Sequence, residues 1–174
     1  MLNKKIIISW VLVIIWAGFI FFMSSMDANE SNGKSKKIIS NVVEKSIDIT
    51  NKLGITDKHP SENEIGQIVN KINHPLRKVA HASEYFILTT FILIALYNSE
   101  VKGIKIFMIA LAMCFLYACT DEYHQTFVNE RSGLFSDTLI DTLGGFISCI
   151  TYFIIINKFN NKLKISIQIP NKYV

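Results

Sequence analysis

The sequence has no disulfide framework, no internal repeat and no basic face. Its three cysteines, Cys114, Cys119 and Cys149, are odd in number, have no CxxC spacing and fall within or at the end of apolar runs. They read as small buried hydrophobes, which excludes a disulfide scaffold and a cysteine zinc site. The net charge of +4 is spread over tails and loops, so nucleic acid is excluded as a partner. Ser132 and Ser136 lack a G-x-S-x-G elbow, which argues against a serine nucleophile. No H-E-x-x-H motif is present. Charge is also scarce over four long stretches. Ile6 to Met23 has none, Ile104 to Cys119 carries only Lys105, and Leu139 to Ile156 carries only Asp141. In Val79 to Tyr97 the polar residues are His81, Ser83, Glu84 and two threonines.

Half of the residues are hydrophobic and the mean hydropathy is +0.32. Concentrated in runs, that apolar content argues for a membrane and not a soluble core. A helix needs about 17–25 residues to cross roughly 30 Å of hydrocarbon. The runs predict an all-α polytopic membrane protein forming one domain, with four spans at about 6–23, 79–97, 104–121 and 138–156. The third run reaches that length if its helix continues into Asp121–Gln125. The first follows Lys4 and Lys5, and no small-x-small cleavage site follows it in Phe22-Met23-Ser24-Ser25-Met26. It is expected to be a retained signal-anchor helix.

A long polar loop, residues 24–78, joins the first two spans. Ile38, Ile39, Val42, Val43, Ile47 and Leu53 recur in it at helical spacing, as do Ile65, Ile68, Val69 and Ile72. Two amphipathic helices are expected, separated by Gly54 and Pro60. They lie either on the membrane or bundle, or against each other. His59 and His74 stand beside prolines and read as solvated turn residues. The second span is expected to begin near Arg77-Lys78. Asn98 to Gly103 is a tight connection, and Ser136 or Asp137 is expected to cap the fourth helix. The tail after Ile156 is polar and basic and calls for no structure. Lys4, Lys5, Lys102, Lys105 and the C-terminal lysines lie on one side and ten basic residues on the other, nine of them in the long loop. The raw count therefore does not decide, and only Arg131 stands against them in a short connection. The short connections therefore predict cytoplasmic termini.

Whatever the orientation, four hairpin-connected spans bring the start of the second, the end of the third and the start of the fourth to one side. His81, Glu84 and Tyr85 are spaced i, i+3, i+4, and Asp121, His124 and Gln125 repeat that spacing. Asp137 and Asp141 are i, i+4, and Gly144-Gly145 continues their face, which lets another helix approach closely. Glu122, about 100° round the helix from Asp121, reads as a solvated headgroup-level residue. Taken singly, each polar group fits a buried ion-pair network, Arg131 pairing with Asp121 or Asp137 and His81 with Glu84. Taken together, they point to a site at the extracytoplasmic face, because carboxylates outnumber cations. Three chemistries remain open. A divalent metal could sit among His81, Glu84, Asp121 and His124. His81 or His124 could act as acid–base group, with Glu84, Asp121 and Asp137 as bases and Arg131 as anion clamp. Or the same groups could bind a headgroup or glycopeptide without turnover.

The run Arg77-Lys78-Val79-Ala80-His81-Ala82-Ser83-Glu84-Tyr85 is followed by Asp121-Glu122-Tyr123-His124-Gln125-Thr126-Phe127-Val128. Then come Arg131-Ser132-Gly133 and Asp137-Thr138-Leu139-Ile140-Asp141-Thr142-Leu143-Gly144-Gly145. This pattern resembles the VanZ-like family of small bacterial membrane proteins, named for a member that gives teicoplanin resistance. Phe22-Met23-Ser24-Ser25 is similar to the family's Met-x-Ser-Ser-Gln, with Met26 in place of the glutamine. Asn129-Glu130 stands where the family often has Pro-Gly. The resemblance implies a four-helix domain in the cell membrane with a link to glycopeptides or the cell envelope. It carries no settled reaction. Its characteristic polar residues map onto His81, Glu84, Tyr85, Asp121, Glu122, His124, Gln125, Arg131, Asp137 and Asp141. The alternative is a membrane-embedded, metal-dependent hydrolase or transferase acting on a lipid-linked or peptidoglycan-related substrate.

Overall fold

The computed structural model describes residues 3–26, 28–57, 60–129, 131 and 133–167, with side chains as far as residue 158 apart from those of residues 28 and 30. His59, Glu130, Ser132 and the tail end beyond residue 167 lie outside them. Five helices follow in order: α1 Lys4–Ser24, α2 Ala28–Lys52, α3 Glu62–Asn98, α4 Ile104–Gln125 and α5 Phe135–Ile167. Four of them, all but α2, are long and apolar enough to cross a membrane. At 1.5 Å per residue the shortest, α1, is about 32 Å long, enough for the hydrocarbon layer.

The outward faces are apolar. Ile14, Phe22, Met108, Leu116 and Phe153 are all more than half exposed. Inside, small and aliphatic residues pack tightly: Ile20, Leu88, Ile92, Leu93, Ala110, Cys114 and Ala118 are buried. Cys149 is buried as well, and all three cysteines are free. Aromatic donors tie α1 into the bundle. Trp10 donates to Ser99 Oγ at 3.2 Å, Trp16 donates to the Glu84 carbonyl at 3.0 Å, and Tyr117 donates to the Ala17 carbonyl. With little hydrophobic force between helices in lipid, such bonds and close packing hold the bundle together.

The expected start of the second span is corrected. Its helix begins at Glu62, not near Arg77, and the second amphipathic segment is its first part. A capping box starts it: Ser61 Oγ accepts from Glu64 N–H, and Glu64 accepts from Ser61 N–H at 2.8 Å. Pro75 lies inside this helix. It removes one backbone donor, to the carbonyl of Lys71, yet the packing on either side carries the helix through. The 37 residues span about 55 Å, so α3 runs well beyond a bilayer's hydrocarbon. Among the described elements α2 packs only on α3, whereas α3 touches every other helix. Of the two placements open for the loop helices, packing against each other is therefore the one seen. Ile39 and Val69 are buried, and Ser35 bonds to Asn73 between the two helices.

The connection from α3 to α4 is as tight as expected, with Gly103 at φ 67° and Glu100 at φ 64°. The helix of the fourth span, α5, runs on to Ile167, which corrects the expectation of no structure after Ile156. It starts at Phe135, so Ser136 and Asp137 lie in its first turn and not at its cap. An acidic group there still favours the positive helix end.

Gly144 and Gly145 sit where α5 meets α3 and α4. A methyl on Gly144 would stand 2.0 Å from the Ala82 carbonyl oxygen, and one on Gly145 would stand 2.5 Å from Cys114 Sγ. The first obstacle is backbone and cannot rotate away. Gly144→Ala is expected to destabilise the bundle by about 1–3 kcal/mol, the usual cost of overpacking. Gly18→Ala, where nothing lies within 4 Å, should leave it unchanged. Thermal unfolding of the two purified variants in one detergent checks the contrast; equal melting temperatures would refute the close-approach role.

Candidate functional site

Four helix segments meet at one end of the bundle: the end of α1, the middle of α3, the end of α4 and the start of α5. Between them and α2 lies a cavity of about 270 Å³. It is lined by Asn32 from α2, by His74, Arg77, Lys78 and His81 from α3, and by Glu122 and Gln125 from α4. Arg131 and Leu134 from the loop, with Asp137, Ile140 and Asp141 from α5, close it.

The loop 126–134 seals one side because Gly133 lies flat on α4. A methyl there would come 2.3 Å from the Glu122 carbonyl oxygen. The same contact brings the Leu134 N–H to Glu122 Oε2 at 2.9 Å, and Gln125 Nε2 reaches Glu122 Oε1 at 3.3 Å. Glu122 is thus 7 % exposed. This corrects its reading as a solvated headgroup-level residue: the returning loop covers it.

Of the residues expected at the site, His81, Glu122, Gln125, Arg131, Asp137 and Asp141 line the cavity. Asp121 does not. It is buried between α1 and α4, where Oδ2 accepts from Ser24 Oγ at 2.9 Å and from Gln125 Nε2 at 3.2 Å, while Oδ1 has no partner. His124 faces α1: its ring stands edge-on to Phe21 at 4.2 Å, and Nε2 lies 3.5 Å from Ser25 Oγ. Tyr85 is fully buried with an unpartnered hydroxyl. Glu84 lies one turn from His81, with Oε2 3.8 Å from His81 Nδ1, as expected for that pair. These four side chains back the cavity and do not line it.

The expected partner of Arg131 is corrected. Asp137 pairs with Lys78, at 2.6 Å, because α5 crosses α3 there. Asp121 accepts from Ser24 and Gln125, both through Oδ2. Arg131 instead offers one nitrogen to the Met23 carbonyl at 3.5 Å, and its Nε is buried without a partner. Burial, and then the positive charge of Arg77, hold its pKa below the ordinary arginine value. Two guanidiniums therefore act on each other across this cavity.

Six lining residues lay outside the expected set, the apolar Leu134 and Ile140 and the polar Asn32, His74, Arg77 and Lys78. His74 is inside α3 and not in a turn, which corrects its reading as a turn residue. The signal that finds His74, Arg77 and Lys78 is the Ser61-x-x-Glu64 capping box, which starts α3 before them and sets them on one helix with His81; Asn32 belongs to α2. Ser24 and Ser25 were visible as a motif, and the structure gives them their roles against Asp121 and His124.

The residues do not fit a metal. Among the described residues no three His, Cys, Asp or Glu side chains stand together as ligands. His81 and Glu84 form one pair, Asp121 is engaged by Ser24, and His124 faces Phe21.

Asp121 supplies the tightest test of this arrangement. Ser24→Ala removes one of its two donors, and hydrogen bonds to charged groups contribute about 1.5–3 kcal/mol. That loss of stability is expected for Ser24→Ala and not for Ser25→Ala, whose contact is long and exposed. Chemical denaturation of both variants measures the difference; equal stabilities would exclude a buried Ser24–Asp121 bond.

Comparison with known proteins bears on the whole bundle. No curated protein and no solved structure matches the chain. The VanZ/LLP1 family model matches residues 9–156, a stretch that runs from α1 to α5 and includes every residue of the cavity. With that match and four membrane-length helices, the chain belongs to the VanZ/LLP1 family and is a membrane protein of that type.

Proposed function

We propose that this protein sits in the bacterial cell membrane with both termini cytoplasmic, and that its cavity opens at the extracytoplasmic face. There it holds the polar headgroup of a lipid-linked or peptidoglycan-related envelope ligand. Through that ligand it lowers susceptibility to teicoplanin-type glycopeptides. The family resemblance supplies the link to teicoplanin and the envelope. The observation that carries the reading is the cavity itself: charged side chains from α3, α4, α5 and the connecting loop line one space at the end of a bundle otherwise built for lipid. Ionisable groups near a membrane cost free energy unless they have a use or a partner.

The size of the space supports one of two ligands over the other. Pockets that enclose drug-sized molecules measure about 300–1,000 Å³. At about 270 Å³, this one suits a headgroup and not a whole glycopeptide. The antibiotic is therefore met indirectly, through the envelope component it would otherwise encounter.

A second reading is turnover of that ligand. His81 and Asp141 line the same cavity, and Asp141 is 1 % exposed with Oδ2 unpartnered. An imidazole and a carboxyl on one cavity can exchange protons with a bound group. Such general acid–base work supplies about 10²–10⁴-fold in rate. Product formation from a lipid-linked envelope substrate, lost in Asp141→Asn, would favour it over binding alone.

Expression in a teicoplanin-susceptible host tests the main reading. The protein is expected to raise the inhibitory concentration, and Arg131→Gln or Asp141→Asn, at equal membrane abundance, should return it to the host value. Full protection from both variants would overturn the reading.

A further inference from the structure

We infer that the ligand group taken by this cavity is a phosphoanion, held between Arg77 and Arg131, with Asn32 of α2 setting the position of Arg77. The inference rests on the reading that the cavity is the ligand site, and it names the chemistry of that ligand.

The cavity carries both signs of charge, so the question is which charges are left for a ligand. Asp137 is matched by Lys78 at 2.6 Å. Glu122 has one oxygen on the Leu134 N–H and the other on Gln125. Asp141 is the remaining carboxylate, and it is almost wholly enclosed. Against it stand two guanidiniums. Among the described residues neither Arg77 nor Arg131 pairs with a carboxylate. Arg131 has only a long bond to the Met23 carbonyl and a buried Nε without a partner. Arg77 donates to the side-chain oxygen of Asn32, a neutral acceptor.

Burial and then the charge of Arg77 weigh against the Arg131 guanidinium, while Asp121, Glu122 and Glu84 offset part of this. An anion between the two guanidiniums adds to that offset. Guanidinium keeps its proton, is weakly hydrated and matches the oxygens of a phosphate with a planar fork. Partial enclosure strengthens the attraction relative to bulk water.

The hairpin gives this clamp a fixed geometry. Asn32 accepts from Arg77 and also from Asn73 Nδ2 at 3.3 Å, and Asn73 in turn bonds to Ser35. A net of amides and a hydroxyl thus spans α2 and α3 directly above the cavity. Asn32 and Asn73 are positioning residues: they hold the guanidinium and need not touch the anion. This assigns α2 a role that burial of its own apolar face does not require.

Binding of inorganic pyrophosphate to the full chain in lipid nanodiscs, read by calorimetry, tests the inference. Saturable binding is expected, weakened at least tenfold by Arg77→Gln and by Arg131→Gln. A smaller, several-fold weakening is expected in Asn32→Ala, and Lys105→Gln, at the opposite end of the bundle, should bind as the parent does. If a glutamine variant fails to fold, Arg77→Lys and Arg131→Lys retain charge without the fork and should still bind several-fold more weakly. A polyprenyl pyrophosphate compared with the free anion separates the sources: tighter binding of the lipid marks a membrane-borne headgroup, and equal binding marks a free phosphate. No pyrophosphate binding, or binding indifferent to both arginines, would overturn the inference. The two readings fail separately. Binding of an uncharged lipid-linked sugar, lost in Asp141→Asn, with no binding of pyrophosphate, would leave the cavity as the site and remove the phosphoanion. Pyrophosphate binding that needs both arginines, with teicoplanin susceptibility unmoved by Arg131→Gln, would remove the proposed function and keep the clamp.

Discussion

The close approach of α5 to α3 at Gly144 is the contact on which the rest of this end of the bundle depends. A glycine there lets the α5 backbone meet the Ala82 carbonyl region directly. Asp141 and Asp137 lie three and seven residues earlier, on the same face of α5. Once Gly144 is seated, Asp137 has to fall beside Lys78, and Asp141 has to face the same cavity as His81. Close packing, in this membrane setting, is what makes an ionic site affordable.

Three of the acidic groups find partners, each from a different element. Asp121 is served by Ser24 at the end of α1, Glu122 by the Leu134 backbone in the returning loop, and Asp137 by Lys78 on α3. Breaking one partner of a buried charge costs more than the pair contributes. The network therefore couples the end of α1 and Leu134 of the returning loop to α4, and the start of α5 to α3. Gly133 has the same part in the loop that Gly144 has in α5: it admits a backbone contact that a side chain would block.

Much of this was legible in the sequence. Hydropathy and length gave the four long helices, and topology alone put the three polar stripes at one end. The Gly144-Gly145 pair announced a close contact. What could not be read is the rotation of each helix about its own axis relative to its neighbours. Spacing placed Asp121, His124 and Gln125 on one face, and they are. That face, however, straddles the boundary between α1 and the cavity, so His124 turns to Phe21 and Gln125 turns inward. Glu122 was misread because periodicity describes a helix without the loop that returns over it. The expected start near Arg77 fell just beyond Pro75. The structure runs through it, since a helix packed along its length tolerates one missing donor. The capping box at Ser61 was the better signal, because it marks where backbone donors are satisfied and not merely where hydropathy changes.

That continuity alters the charge balance of the site. Counted from the expected residues, carboxylates exceed cations and a metal or proton is the natural complement. The first half of α3 adds Arg77, Lys78 and His74 to the same cavity. Three fixed cations then face three carboxylates, and Asp137 and Glu122 already have partners within the protein. Lys78 is taken by Asp137, and among the described residues the two guanidiniums are left without a carboxylate partner. An excess of acids calls for a cation, whereas two underused guanidiniums call for an anion, so the position of one helix start reverses the class of ligand. The extension of α3 beyond the membrane is thus part of the site: shortened to an ordinary span, the helix would lose Arg77 and, with α2 no longer supported, the asparagine that holds it.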